Sequence, residues 1–294
     1  MKVLEKHIEH RKSLCFLDLE GTQFTHEMIA IGAVKVDLRK DMSIKKIHKG
    51  YYTLVKAKNR IGKVVTDLTG ITEAQVKENG VSFRVAVEQL KKYMGRDFSK
   101  CLFVTFGNHD VRIISQSLAH NLDVKKEDVQ IMIKHAFDFA EFISNYVRDE
   151  HFNTYSLTNM LKVFGVEFEG TQHNALADAK NLAYLYQAVL KSRPILKEEY
   201  KKVLGLTRHL PDPIHDIILK LQAGETVTPE MFDKMVDETL RWLITQAESK
   251  KFKNKKKKRA SLKRDALFLP LIEACSSKRK STLQMNIIRK WENA

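Results

Sequence analysis

Ser13-Leu-Cys-Phe-Leu-Asp18-Leu-Glu20-Gly-Thr22 is a short apolar run closed by two carboxylates two residues apart. Its apolar part, Leu14 to Leu17, predicts a buried strand. Side chains alternate faces along a strand, so Asp18 and Glu20 point one way and Leu19 the other. Gly21 breaks the strand just after them. Two like charges at the end of a core strand repel each other unless a cation lies between them. Hard divalent ions such as Mg²⁺ take oxygen ligands and are held by one or two carboxylates plus substrate phosphates. A strand end fraying into solvent with two surface acids is the competing explanation. The metal idea therefore stands only if the rest of the chain supplies further ligands.

Upstream, residues 1–12 are polar and basic and predict a loose arm. Downstream, Met28 to Val36 is β-branched and apolar and predicts a second strand, and Ile44 to Val55 a third. Short connections make the three an antiparallel meander. Val65 to Thr72 holds a Gly-containing turn, and Thr72 is placed to cap a short helix. Val81 to Met94 has apolar residues at helical spacing. Cys101 to Phe106 predicts a fourth strand, ending in Gly107-Asn-His-Asp110, from which a helix runs to about His120. Ile131 to Val147 fits a brief strand and then a helix. Ser156 to Phe164 predicts a helix closed by Gly165. A strong helix spans about His173 to Lys191, with Leu176, Ala179, Ala183 and Tyr186 on its core face. Strands first and helices interleaved later predict an α/β fold, a mixed sheet covered by helices.

Pro194 marks the end of this unit. Beyond it lie helical patterns at 214–221 and 228–247. Then comes Lys250-Lys251-Phe-Lys253-Asn-Lys255-Lys-Lys-Lys258-Arg259, which contains no acid. Such a block is a solvated interaction tail by composition. The expected divisions are 1–195, 196–248 as a helical extension, and 249–294 as a basic tail with short helices.

The 294 residues carry a net charge of +15 with 43% hydrophobic residues, enough for a sizeable core and suited to an anionic partner. Nucleic acid and an acidic membrane surface both qualify. No apolar run reaches the roughly 18 residues that cross a bilayer. The N-terminus has no signal-peptide apolar region. Cys15, Cys101 and Cys275 form neither a zinc pattern nor a disulfide framework. The expectation is a cytoplasmic protein without a membrane partner.

The remaining ligands then suggest themselves. Asp110 follows the fourth strand. His173 and Asp178 lie in Gln172-His173-Asn-Ala-Leu-Ala-Asp178-Ala-Lys-Asn181, at the start of the strong helix. If strands one and four are neighbours, all five groups converge at one sheet edge.

In order and spacing this set resembles the DEDD superfamily of 3′→5′ exonucleases, in its DnaQ-like, histidine-using branch. Phe16-Leu-Asp18-Leu-Glu20-Gly-Thr22 is similar to the first motif, Phe103-Val-Thr-Phe-Gly-Asn-His-Asp110 to the second, and His173 with Asp178-Ala to the third. Leu68-Thr-Gly-Ile-Thr72 is similar to the loop after the third strand. The match covers about residues 12 to 190, and the second motif is most like Eri-type and KapD-like members. The resemblance implies an RNase H-like mixed five-stranded sheet and two Mg²⁺ or Mn²⁺ ions held by Asp18, Glu20, Asp110 and Asp178. It implies His173 as the base that takes a proton from the attacking water, a role suited to an unperturbed pKa near 6.5. Thr22 and the backbone at Gly21 would touch the terminal nucleotide of a single-stranded nucleic acid, RNA favoured over DNA. Phe24 is as well explained by loop packing as by base stacking. His109 fits a surface position, and Glu167 and Glu169 fit solvated loop acids. The alternative function is a nucleic-acid-binding regulator on a nuclease-like scaffold, which has no need of the complete acid set.

Overall fold

The structure, a computed structural model, describes residues 2–206 and scattered positions between 216 and 238. The stretches 250–259, 266–275 and 283–291, and most of 214–221 and 228–247, lie outside the described residues. One compact unit comprises residues 2–149 and 153–196. A second includes 150–152 and begins again at Lys197.

The first unit opens with helix α1 (Lys2–Ile8), where a loose arm is expected. Leu4 and Ile8, one helical turn apart, are 0% and 2% exposed, and burying that pair fixes the helix. Strands β1 (Ser13–Gly21) and β2 (Met28–Leu38) follow as an antiparallel pair in which Asp18 faces Gly32. The expected third strand is two, β3 (Ile44–Ile47) and β4 (Tyr51–Leu54), both paired to β2. Between their ladders the outer chain has residues 48–50 against 34–35 of β2, and the extra residue interrupts the pairing.

Helices α2 (Lys63–Thr69), α3 (Glu73–Asn79) and α4 (Phe83–Met94) come next. The predicted turn around Val65 is thus mostly helix. Thr72 does cap α3, in a reciprocal capping box with Gln75. Strand β5 (Leu102–Thr105) pairs parallel to β1, as convergence of the acids requires. Helices α5 (His109–His120) and α6 (Lys126–Lys134), strand β6 (Ala136–Asp138), and helices α7 (Phe139–Ser144), α8 (Leu157–Val163), α9 (Ala175–Lys191) and α10 (Arg193–Leu206) complete the described chain. Pro194 sits in the first turn of α10, where its missing N–H costs nothing.

The sheet has six strands rather than five, in the order β3-β2-β1-β5-β6 with β4 on β2. Its centre is fully apolar: Leu14 to Leu17 of β1 and Phe103 of β5 are buried. On one face α9 lays Leu182, Ala183 and Tyr186, and Tyr186 meets the ring of Phe16 at 5.5 Å between centroids. On the other, Cys15, Leu17 and Phe103 cluster with Phe83, Val87 and Leu90 of α4. Each leucine, valine or phenylalanine among them contributes about 1.5–3 kcal/mol when taken from water. No helix among the described residues is long and apolar enough to cross a membrane.

Candidate active site

Asp18 and Glu20 emerge on one face at the end of β1, as alternation requires. Asp178, in the first turn of α9, meets them there: one carboxylate oxygen from each of the three lies within 4.8 Å of the other two. Gly32 makes this approach possible. It stands opposite Asp18 on β2, and a Cβ there would fall 2.1 Å from the backbone carbonyl of Ala175. The first turn of α9 lies directly on the backbone of β2, close enough to the sheet for Asp178 to reach the acids.

Asp110 joins through a different bond. It stands in the first turn of α5, 5% exposed, and its Oδ1 accepts the backbone N–H of Leu19 at 2.9 Å. The residue between the two β1 acids thereby fixes the fourth carboxylate to the strand that carries them. Beside it, Gly107 donates its N–H to Asp138 at 3.0 Å, which ties the turn after β5 to the end of β6.

Burial raises all four carboxylates, and neighbouring acids add to the rise at Asp18, Glu20 and Asp110. Burial, then the charges of Asp110, Asp178 and Glu20, holds Asp18 well above the ordinary carboxylate range. Glu20 is pushed up to about 8 by burial and by Asp178 and Asp110. Burial lifts Asp110 to about 7, against the opposing Leu19 hydrogen bond. Asp178 rises to about 6 by burial, restrained by the charge and backbone N–H of His173. Acidic oxygens crowded in this way are the donor set of a hard divalent cation, and their mutual repulsion is what such a cation relieves. Asp18, Glu20, Asp110 and Asp178 therefore fit the Mg²⁺ or Mn²⁺ that the motifs imply.

His173 lies exposed just before α9, near enough to Asp178 for its charge to act there. Its φ of +61° is left-handed, a conformation in which His is enriched among non-glycine residues. Asn174, not His173, caps the helix, accepting the N–H of Ala177 at 3.1 Å. The loop before His173 is held by Asn181, which is 0% exposed. Its Oδ1 accepts the Glu169 N–H at 3.0 Å, and its Nδ2 donates to the Glu169 and Ala177 carbonyls, both at 2.8 Å. Neither Gly32 nor Asn181 figures among the sequence candidates. A glycine inside a β-branched strand and an asparagine inside a helix are the signals that point to them.

The other candidates are placed as follows. Gly21 is buried, where a Cβ would crowd Ile113 at 2.9 Å. Thr22 is 1% exposed; its hydroxyl meets that of Thr25 at 2.7 Å and accepts the Glu27 N–H at 2.9 Å, closing the β1–β2 turn. Phe24, at the tip of that turn, is 78% exposed. His109 is exposed and packs edge-on against His26 at 5.2 Å. Glu167 is exposed, and Glu169 pairs with Lys180 at 2.7 Å, away from the acid cluster.

Comparison with known proteins agrees with this geometry. The family model RNase T, described as exonuclease, matches residues 15–186. ERI1 exoribonuclease 2 of Xenopus laevis is 22% identical over 207 residues, which are 63% of this chain and 28% of that protein. The 3′-5′ exoribonuclease 1 of Rattus norvegicus is 24% identical over 189 residues, 60% of this chain and 53% of that one. The chain thus spans only part of the length of either relative. The crystal structure of a full-length 3′-exonuclease superposes with a TM-score of 0.50 at 18% identity, over 62% of this chain and 61% of that one. That likeness shows the fold, the RNase H-like sheet flanked by helices.

Proposed function

The chain belongs to the RNase T exonuclease family, and on that premise we propose that it is a metal-dependent 3′→5′ exonuclease. The observation that carries this is the convergence of Asp18, Glu20 and Asp178 within 4.8 Å, with Asp110 bonded to the strand between the first two. Its substrate is single-stranded nucleic acid, and RNA is favoured over DNA because both curated relatives are named exoribonucleases. We further propose that residues 1–195 form the catalytic domain, 196–248 a helical extension, and 249–264 within the basic tail a contact to phosphates.

Asp18, Glu20, Asp110 and Asp178 would hold two Mg²⁺ or Mn²⁺ ions. Such ions, when bound, stabilise the charge developing on the attacking and leaving oxygens of an in-line displacement. His173 takes the proton of the attacking water. The water oxygen bonds to phosphorus as the bond from phosphorus to the 3′ oxygen breaks. That oxygen takes a proton from solvent, leaving a shortened strand with a free 3′ hydroxyl and a nucleoside 5′-monophosphate. The charge and the backbone N–H of His173 both bear on Asp178, which places His173 beside the acid cluster.

Asp18→Ala in the purified protein tests the assignment. The expected result is loss of nuclease activity with the fold intact, because the change also removes carboxylate repulsion. Nuclease activity that survives the substitution would refute it.

A further inference from the structure

Helix α9 joins the acid cluster to a second feature, at its other end. Lys180, Tyr184, Gln187 and Lys191 recur every three or four residues and form one incompletely buried stripe among buried neighbours. The stripe runs about 17 Å by the helical rise, away from Asp178. Near its start the Lys180 ammonium lies 5.4 Å from the centre of the Tyr184 ring. At its far end Tyr184, Gln187 and Lys191 line a cleft of about 790 Å³ with the strand β3.

The cleft is strongly basic. Arg39, Lys45, Lys46, Lys191 and Arg193 line it against one acid, Asp41. That acid is engaged, since its carboxylate accepts the Ser43 N–H at 3.0 Å and the Ser43 hydroxyl at 2.6 Å. Lys45, Lys46 and Lys191 are exposed, and none forms an ion pair among the described residues. Lysines on an edge strand also guard it against pairing with another chain. That function does not explain a cleft, nor cations converging from β3, the end of α9 and Arg193. Arg39 also lines a second cavity of about 790 Å³, where Arg11, Lys12 and Lys40 stand with the acids Glu5 and Glu9. A concave floor does not match the plane of a bilayer, whereas it matches a single phosphodiester chain, whose charges the lysines would meet one by one.

We propose that this cleft binds the sugar-phosphate backbone of the substrate several nucleotides upstream of the 3′ end, at the end of α9 remote from the carboxylates. The inference rests on the exonuclease assignment above and adds to it a second contact, one that makes the enzyme prefer long strands over short ones.

The test is the triple variant Lys45→Gln, Lys46→Gln, Lys191→Gln in the full chain, assayed on a trinucleotide and on a 30-nucleotide strand across a KCl series. The expected result is a KM for the long strand raised about ten-fold with kcat unchanged, and unaltered kcat/KM on the trinucleotide. Three lost phosphate contacts should also make the salt slope of long-strand binding shallower by about 2, at roughly 0.7 per contact for single strands. An unchanged KM and slope for the long strand would overturn the proposal, as would an equal loss on both substrates. Hydrolysis of the trinucleotide by the unmodified chain tests the exonuclease assignment separately, because that substrate does not span the distance to the cleft.

Discussion

At the scale of single residues, the site is a set of carboxylates held at values they would not have in water. Asp18, Glu20, Asp110 and Asp178 are all raised, the last three to about 8, 7 and 6. At low pH they are protonated and compatible with burial. As pH rises from the ordinary carboxylate range, the unfolded chain releases their protons first, so the metal-free protein loses stability between about pH 4 and 8. The melting temperature in EDTA should therefore be lower at pH 8 than at pH 5.5, and Mg²⁺ should restore it. Asp18→Asn should raise it at pH 8, by roughly 2–4 °C for each kcal/mol of repulsion relieved. A melting temperature in EDTA that climbs from pH 5.5 to 8 would contradict this. His173→Ala should cut turnover much more than substrate binding, and a variant with normal kcat would remove its role as base. Asn181→Leu leaves the Glu169 and Ala177 backbone groups without their buried partner, at a cost of about 1–3 kcal/mol. It should also let the His173 loop drift, and a displacement near 1 Å can cost up to about 100-fold in rate. Unchanged kcat in Asn181→Leu would show that the loop is held by other means. The acids that the fold brings together were legible because their spacing on a strand and at helix starts stands in the letters. Asn181 was not, because its importance lies in three bonds to backbone, and backbone has no letters.

At the scale of elements, the decisive contact is the first turn of α9 against β2 at Gly32. Gly32→Ala places a methyl group 2.1 Å from the Ala175 carbonyl, so helix or strand must move. Overpacking of this kind costs about 1–3 kcal/mol. It should also lower the apparent Mg²⁺ affinity, since Asp178 moves with the helix. Thermal melting and a Mg²⁺ titration of activity would measure both, and wild-type values in each would mean that α9 is not positioned here. Strand order was readable as far as the apolar runs extended: β1, β2 and β5 stand where Leu14–Leu17, Met28–Val36 and Cys101–Phe106 predict. The division of the third strand was not readable, because one extra residue in an edge strand leaves composition unchanged. Helix α1 was missed for a related reason. Seven residues with three apolar positions, two of them adjacent, give little periodicity, and only packing shows that Leu4 and Ile8 are buried.

At the scale of the whole molecule, charge and catalysis are separated along the chain. The carboxylates gather at one end of β1, while the chain as a whole carries a net charge of +15, with its densest basic run at 250–259. Deleting residues 249–264 should weaken nucleic-acid binding and make its salt slope shallower, with hydrolysis of a trinucleotide preserved. Equal affinity across a salt series would exclude a phosphate contact from the tail. Composition alone suggests the charge of the proposed partner, since the chain carries a net +15. The cleft beside β3 was not legible there, because its cations come from residues near 39, 46 and 192 that only the fold brings together. The most direct test of the central claim follows degradation of single strands labelled at the 3′ or the 5′ end, RNA and DNA in parallel, with Mg²⁺, Mn²⁺ or EDTA. The expected result is metal-dependent loss of the 3′ label as mononucleotide, a 5′-labelled strand that shortens stepwise, and faster action on RNA. Tight binding without cleavage by the unmodified chain, with either metal, would contradict it and favour a binding regulator on a nuclease-like scaffold.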